Sequence, residues 1–99
     1  MTEMQALVLA CSVIGLGLYG ALTRKEIIAV LASIEVMLGG AQLLLASYAG
    51  SVPDPSVAQG VNVIVLAVGA AEAAIGLALL IALVRRGRSR TDQIEEVRG

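Results

Sequence analysis

Two acidic residues, Glu35 and Glu72, each lie inside an otherwise uncharged apolar stretch that is long enough to cross a bilayer. A charged side chain at mid-membrane costs about 2.5–3.5 kcal/mol even on the insertion scales that give the lowest values. Such residues therefore usually mark ion pathways or proton relays. Because loss of hydration disfavours the ionised form of a carboxyl group, a buried acid can load and release a proton near working pH. The pair predicts proton handling.

A static role is the alternative for both acids. Each one could remain protonated and join helices through hydrogen bonds, or pair with a cation on another subunit. The presence of two acids on adjacent stretches favours proton handling over this alternative.

The apolar stretches predict an all-α integral membrane protein with three transmembrane helices. The spans run over 4–22, 27–48 and 60–84, followed by a tail over 85–99. Helices of about 20 residues cross roughly 30 Å of hydrocarbon. The chain is 58% hydrophobic and 15% charged, which is too apolar for a soluble domain of this length. We expect one membrane domain over 1–99 and, because no basic segment precedes the first stretch, no removable signal peptide.

The basic residues predict the orientation of these helices. All seven lysines and arginines lie in the connector 23–26 or in the tail, and the loop 50–56 contains two prolines but no basic residue. By the positive-inside rule, the N-terminus and the proline-containing loop lie outside, and the connector and the C-terminus are cytoplasmic. Arg24 and Lys25 are the basic pair of the connector.

The remaining composition offers no catalytic group. With one cysteine, Cys11, and no histidine, the chain can form neither an internal disulfide nor a thiolate metal set. We expect it to bind no metal, no cofactor and no nucleic acid. Residues 15–20 match the glycine pattern of dinucleotide-binding turns, but they follow no strand. Glycines in all three spans predict close helix packing instead: Gly15, Gly17, Gly20, Gly39, Gly40, Gly69 and Gly76.

The neighbours of the two acids support the proton hypothesis. Gly69 and Gly76 lie about one turn on either side of Glu72, where small side chains leave room for water or a partner helix. Gln42 lies two turns after Glu35 on the same face and could extend a polar path, although an amide there is also typical of helix–helix contact.

Counting residues from the cytoplasmic span ends predicts the depth of each acid. Glu35 lies about 12 Å and Glu72 about 18 Å from that side. At a helix spacing of about 8–10 Å, their carboxyls would be about 10 Å apart, which suits a relay through water. Because Glu35 is nearer the interface, we expect Glu35→Gln to be milder than Glu72→Gln.

Three stretches of the sequence closely resemble the K subunit family of bacterial complex I, the proton-pumping NADH:quinone oxidoreductase. They are GLYGALTRK at 17–25, SIEVML at 33–38 and, above all, AAEAAIGLA at 70–78. The ending EVRG at 96–99 is similar too. The resemblance covers essentially the whole chain. Three places depart from the family pattern and leave both acids intact: Glu26, Gly39 with Gln42, and the order of Gln59 and Gly60.

The resemblance implies that Glu35 and Glu72 belong to a central hydrophilic axis linking the quinone-proximal region to the antiporter-like subunits. Arg24 and Lys25 match the family's basic cytoplasmic connector. NADH, FMN, the iron–sulfur clusters and the quinone would be bound by partner subunits. This chain would be a non-redox subunit of the translocase in the bacterial inner membrane.

Two alternative functions remain at this point. The C subunit of a multisubunit cation/proton antiporter is similar in span number and tail, but it generally lacks the two intramembrane acids. A purely structural small membrane subunit would not need them.

Overall fold

The computed structural model describes residues 2–87 together with Arg90 and Thr91. It contains three helices, α1 (Glu3–Thr23), α2 (Ile27–Ser51) and α3 (Ser56–Arg85). All three are long and apolar enough to cross a membrane, so the prediction of an all-α chain with three such helices is confirmed. Each predicted span lies within one helix, and α3 begins four residues before its span. The predicted tail, apart from 85–87, 90 and 91, lies outside the described residues, as does the ending 96–99.

The helix ends are set by local hydrogen bonds. The hydroxyl of Thr2 accepts the backbone N–H of Gln5 at 3.2 Å, and the Thr2 N–H donates to Gln5 Oε1 at 3.0 Å, which forms a capping box on α1. At the C-terminal end of α3, Gly87 follows the helix with φ 75°, and its N–H donates to the Val84 carbonyl at 2.9 Å. A glycine in this left-handed conformation satisfies carbonyls that a helix end leaves open.

The loop between α2 and α3 contains a carboxylate, Asp54, that accepts a hydrogen bond from the start of α3. The N–H of Ser56, the first residue of α3, donates to Asp54 Oδ1 at 3.1 Å. This bond and a further one from the Ser56 side chain hold the pKa of the Asp54 carboxyl below its ordinary value. A carboxylate at this position also suits the positive end of the helix dipole.

The described part of the tail returns to the connector between α1 and α2. The Thr91 N–H donates to the Lys25 carbonyl at 2.9 Å, and Glu26 and Arg90 form an antiparallel bridge. The basic connector and these tail residues therefore lie at the same end of the helix bundle, which we call the connector end. The opposite end, at residues 52–55, is called the loop end.

Helix α2 lies between the other two helices. Its residues Ser33 and Met37 contact α1 at Gly17, whereas Leu31 and Leu38 contact α3 at glycines. At 100° per residue, the centres of these two pairs lie about 130° apart around α2. The result is a bent row of three helices, each antiparallel to the next, whose outer faces are open to lipid or to other subunits.

Glycines allow α1 and α2 to approach closely. A Cβ at Gly17 would lie 2.8 Å from the Ser33 carbonyl oxygen, and one at Gly40 would lie 3.1 Å from the Ala10 carbonyl oxygen. Gly20, Gly69 and Gly76 also face a neighbouring helix, so the packing prediction holds for these five glycines. Gly15 and Gly39 have nothing of this chain within 4 Å, so for them close packing against another subunit stays a prediction.

Candidate functional site

The contacts between α2 and α3 define the relative height of the two acids. A Cβ at Gly76 would lie 2.9 Å from Leu31 Cδ1, and one at Gly69 would lie 3.2 Å from Leu38 Cδ1. Glu35 is four residues from Leu31 and three from Leu38, and Glu72 is four residues from Gly76 and three from Gly69. The two acids therefore lie level with each other between the same two contacts.

This register corrects the expected difference in depth of about 6 Å. From Glu72 to the end of α3 at Arg85 the helix rises about 20 Å, whereas from the start of α2 at Ile27 to Glu35 it rises about 12 Å. Helix α3 thus extends beyond the start of α2, and its end is not a common reference plane for depth. Because Glu35 and Glu72 lie at the same height, a difference in depth gives no reason for Glu35→Gln to be milder than Glu72→Gln.

Glu35 is half-buried against α3. One carboxyl oxygen, Oε2, lies 4.0 Å from the position a Cβ of Gly69 would take. The other, Oε1, is buried and accepts no hydrogen bond from the described residues. The side chain lines a cavity of about 260 Å³, to which α3 contributes Leu66 and Ala70. A cavity of this size holds several water molecules at about 30 Å³ each.

Glu72 is exposed and opens to the other flank of α3. Relative to Gly69, which faces α2, Ala70 is rotated by about 100° to one side and Glu72 by about 60° to the other. Ala70 lines the cavity of Glu35, and Glu72 does not. The pair of helices thus presents one carboxyl to each of its two flanks, at the same height.

This arrangement bears on the expected relay through water. Level carboxyls on opposite flanks are separated by the α2–α3 contact itself, because Gly69 packs against α2 between them. A water bridge between Glu35 and Glu72 must therefore pass around this contact. The separation of about 10 Å stays a prediction.

Gln42, predicted as polar-path support, lines the same cavity as Glu35. Its backbone carbonyl accepts the side-chain Nδ2–H of Asn62 at 3.4 Å. Asn62 Oδ1 is buried and accepts no hydrogen bond from the described residues. Sequence reasoning missed Asn62, which was counted only as an uncharged member of its span. Its spacing was the available signal, since it lies seven residues before Gly69 on the face toward α2.

Arg24 and Lys25 lie at the connector end, and both are exposed. Their described contacts are through the backbone: the Arg24 N–H donates to Gly20 at 3.0 Å and ends α1, and Lys25 accepts from Thr91. The structure brings neither of them into the cavity of Glu35. Among residues 2–87, 90 and 91, no three His, Cys, Asp or Glu side chains are grouped so that they could hold a metal ion.

Comparison with known proteins tests the family resemblance. The family model described as NADH-ubiquinone/plastoquinone oxidoreductase chain 4L matches residues 5–99. The chain belongs to this family. The match confirms the resemblance to the K subunit.

Individual members of the chain 4L family are similar over nearly their whole length. NADH-quinone oxidoreductase subunit K 1 of Syntrophobacter fumaroxidans is 42% identical over 95 residues, covering 94% of this chain and 93% of that protein. Subunit 11 of the Thermus thermophilus enzyme is 41% identical over 98 residues, covering 97% and 100%. Subunit K of Bacillus cereus is 41% identical over 96 residues, covering 95% and 88%.

Proposed function

We propose that this chain is a membrane-arm subunit of respiratory complex I, and that Glu35 and Glu72 couple NADH:quinone electron transfer to proton translocation. The observation that carries the proposal is the position of the two acids, level with each other on opposite flanks of the α2–α3 pair. A proton or a charge change arriving on one flank can be passed to the other in the plane of the membrane. Such a link suits a hydrophilic axis that continues through neighbouring subunits on both sides.

Electrostatic coupling between the acids is strong enough for this role. Two unit charges about 10 Å apart in a medium of effective dielectric constant about 20 interact by about 1.7 kcal/mol. The two acids are coupled whether a proton moves from one carboxyl to the other or only the electrostatic effect of its charge is transmitted.

The assembly around the chain is part of the proposal. Antiporter-like subunits and other membrane subunits of the complex would cover the open faces of the helix row, and lipid the remainder. Partner subunits would bind NADH, FMN, the iron–sulfur clusters and the quinone, and this chain would hold none of them. In the bacterial inner membrane, the loop end would face outward and the connector end the cytoplasm, as the distribution of basic residues favours.

Replacement of each acid by its amide tests the coupling role. In the assembled complex, Glu35→Gln and Glu72→Gln should each strongly reduce quinone reduction and proton pumping, and by similar factors because the residues lie level. Glu3→Gln is the matched control, since Glu3 is an exposed acid in the first turn of α1. NADH oxidation and acidification of inverted vesicles are the measurements. Full activity in Glu72→Gln, with normal assembly, would contradict the proposal.

Purification of the complex through a tag on this chain tests the assembly. Mass spectrometry should find flavin and iron–sulfur subunits together with large antiporter-like subunits. Recovery with antiporter subunits alone would assign the chain to a cation/proton exchanger, and the coupling role of both acids would then have to be abandoned.

A further inference from the structure

A groove between α2 and α3 at the connector end shares no described residue with the cavity of Glu35. It has a volume of about 310 Å³, and aliphatic side chains from both helices form most of its wall. Helix α2 contributes Ile27 among others, and α3 contributes Leu79 and Leu83. Thr91 of the tail lines the groove where it reaches the connector. We call it the apolar groove.

The apolar groove lies on the flank of Glu72. Relative to Gly69, which faces α2, Leu79 is rotated by about 80° to the same side as Glu72. Gly76, which lies about one turn after Glu72, also lines the groove. The groove therefore occupies the space between Glu72 and the connector end, whereas the cavity of Glu35 opens to the opposite flank.

The dimensions of the apolar groove suit a single hydrocarbon chain. From Leu83 to Gly76, α3 rises about 10 Å, whereas the hydrocarbon of one leaflet is about 15 Å thick. A third helix, about 10 Å across, would lie over the groove rather than within it. An acyl chain that enters from the leaflet at the connector end would follow the groove through most of that leaflet.

Basic residues surround the connector end of the groove. Arg86 lies seven residues after Leu79 and therefore on the same face of α3. The Lys25 carbonyl accepts the N–H of Thr91 at 2.9 Å, and Arg90 precedes Thr91. Over the connector and the whole tail, the sequence has seven basic and four acidic residues. Basic pockets between membrane helices on the cytoplasmic side bind anionic lipid headgroups, and the orientation proposed above places the connector end on that side.

We propose that the apolar groove binds an anionic phospholipid, with one acyl chain between α2 and α3 and the phosphate at Lys25 and Arg86. The aliphatic wall holds the chain by van der Waals contact, as neighbouring membrane helices hold each other. The excess of positive charge favours an anionic headgroup over a zwitterionic one. The site does not depend on whether Glu35 and Glu72 exchange protons.

Photo-crosslinking in the assembled complex tests the site. The complex is reconstituted into phosphatidylcholine vesicles that contain a small share of phosphatidylglycerol with a photoreactive diazirine in its acyl chain. Mass spectrometry of this chain should locate labels in the groove, at residues such as Val30 and Leu79. The same diazirine on phosphatidylcholine should label these residues less. Equal labelling by the two lipids would overturn the proposal. So would labels confined to other faces, which would mean that a partner subunit fills the groove.

A matched pair of variants tests the headgroup contact. Arg86→Gln should reduce labelling of the groove about fivefold, the change that a loss of about 1 kcal/mol gives. Arg85→Gln removes the same charge one residue earlier and should have a much smaller effect, because Arg85 is exposed on the face of α3 that points away from α2. Equal losses in the two variants would mean that the overall charge of this end, and not the site, attracts the lipid.

A second pair of variants tests the acyl chain. Leu79→Trp fills the groove and should abolish labelling of Val30. Ile81→Trp is the control, since Ile81 is exposed on the other side of α3 and does not line the groove. Unchanged labelling of Val30 in an assembled Leu79→Trp complex would overturn the proposal.

Competition in the native complex gives the same test without a substitution. Unlabelled phosphatidylglycerol should displace the labelled lipid from the groove at much lower concentration than unlabelled phosphatidylcholine. Equal competition by the two lipids would show that the groove holds only bulk membrane lipid, and would overturn the proposal.

Discussion

The close approach of α1 and α2 at Gly17 leads to a prediction for a single methyl group. In Gly17→Ala, the added Cβ would lie 2.6 Å from Met37 Cγ, 2.8 Å from the Ser33 oxygen and 2.9 Å from the Met37 nitrogen. Two of these three atoms belong to the backbone of α2, so a change of side-chain rotamer cannot remove the overlap. The helices must move apart, or the contact must be lost.

The magnitude follows from a matched comparison with Gly15→Ala, two residues away on the same helix. Replacing glycine by alanine inside a helix contributes about 0.8–1.0 kcal/mol of intrinsic helix stability, and both variants receive this gain. Gly15 has nothing within 4 Å, so it adds no contact. Overfilling a packed interface costs about 1–3 kcal/mol. Gly17→Ala should therefore be less stable than Gly15→Ala by about 1–3 kcal/mol, which is roughly a five- to 150-fold difference in the unfolding equilibrium.

The assay uses the full chain in detergent micelles titrated with dodecyl sulfate. Energy transfer is measured between a dye on an N-terminal tag and a dye on Ser51→Cys, in a Cys11→Ser background. These positions are suitable because Thr2 and Gly50 line one cavity, so the start of α1 lies beside the end of α2. Gly17→Ala should lose energy transfer at a lower dodecyl sulfate fraction than Gly15→Ala. An equal or higher midpoint for Gly17→Ala would refute the packing argument.

The same geometry makes further predictions. Gly76→Ala should destabilise the α2–α3 contact less than Gly17→Ala destabilises the α1–α2 contact, because the Cβ added at Gly76 would meet the flexible end of the Leu31 side chain, at 2.9 Å. The same titration, with dyes on α2 and α3, measures this loss of stability. Equal losses of stability in the two variants would contradict the prediction. Gly87→Ala places a side chain at φ 75° and should destabilise the last turn of α3 by about 1–2 kcal/mol, seen as faster amide hydrogen exchange there; unchanged exchange would argue against it. In carbon-13 spectra, the Asp54 carboxyl should titrate with a pKa below its ordinary value of 3.8. The stabilisation from its hydrogen bond with Ser56 should be fully present above pH 3.8 and should be lost as the pH falls through the lower pKa of the folded state. A midpoint at or above 3.8 would show that this hydrogen bond does not stabilise the carboxylate.

Hydropathy and charge were sufficient to predict the three helices, because a long apolar run between polar connectors has few other structures available in a membrane. The two acids could be recognised for the same reason, since Glu35 and Glu72 are conspicuous in uncharged runs. Glycine content predicted close packing in general. It could not show which glycines face a helix, and Gly15 and Gly39 face outward although they neighbour glycines that do pack.

The relative shift and rotation of the helices could not be read from the sequence. Depth counted from span ends assumed that α2 and α3 end in one plane, and the contact of Gly76 with Leu31 shows that they do not. The flank to which each acid opens depends on which stripe of α3 packs on α2, and hydropathy is nearly uniform around a membrane helix. Asn62 was overlooked because one amide in a long apolar run gives little signal without the position of Gln42 beside it.

The most direct test of the central claim is infrared difference spectroscopy of the purified complex, recorded on addition of NADH. If Glu35 and Glu72 exchange protons during turnover, the carboxyl C=O bands of the native complex should change, and part of that change should be absent in Glu35→Gln and in Glu72→Gln. Glu3→Gln should give the native difference spectrum. Difference spectra in the two amide variants that match that of the native complex would mean that neither acid changes its protonation, and would contradict the account.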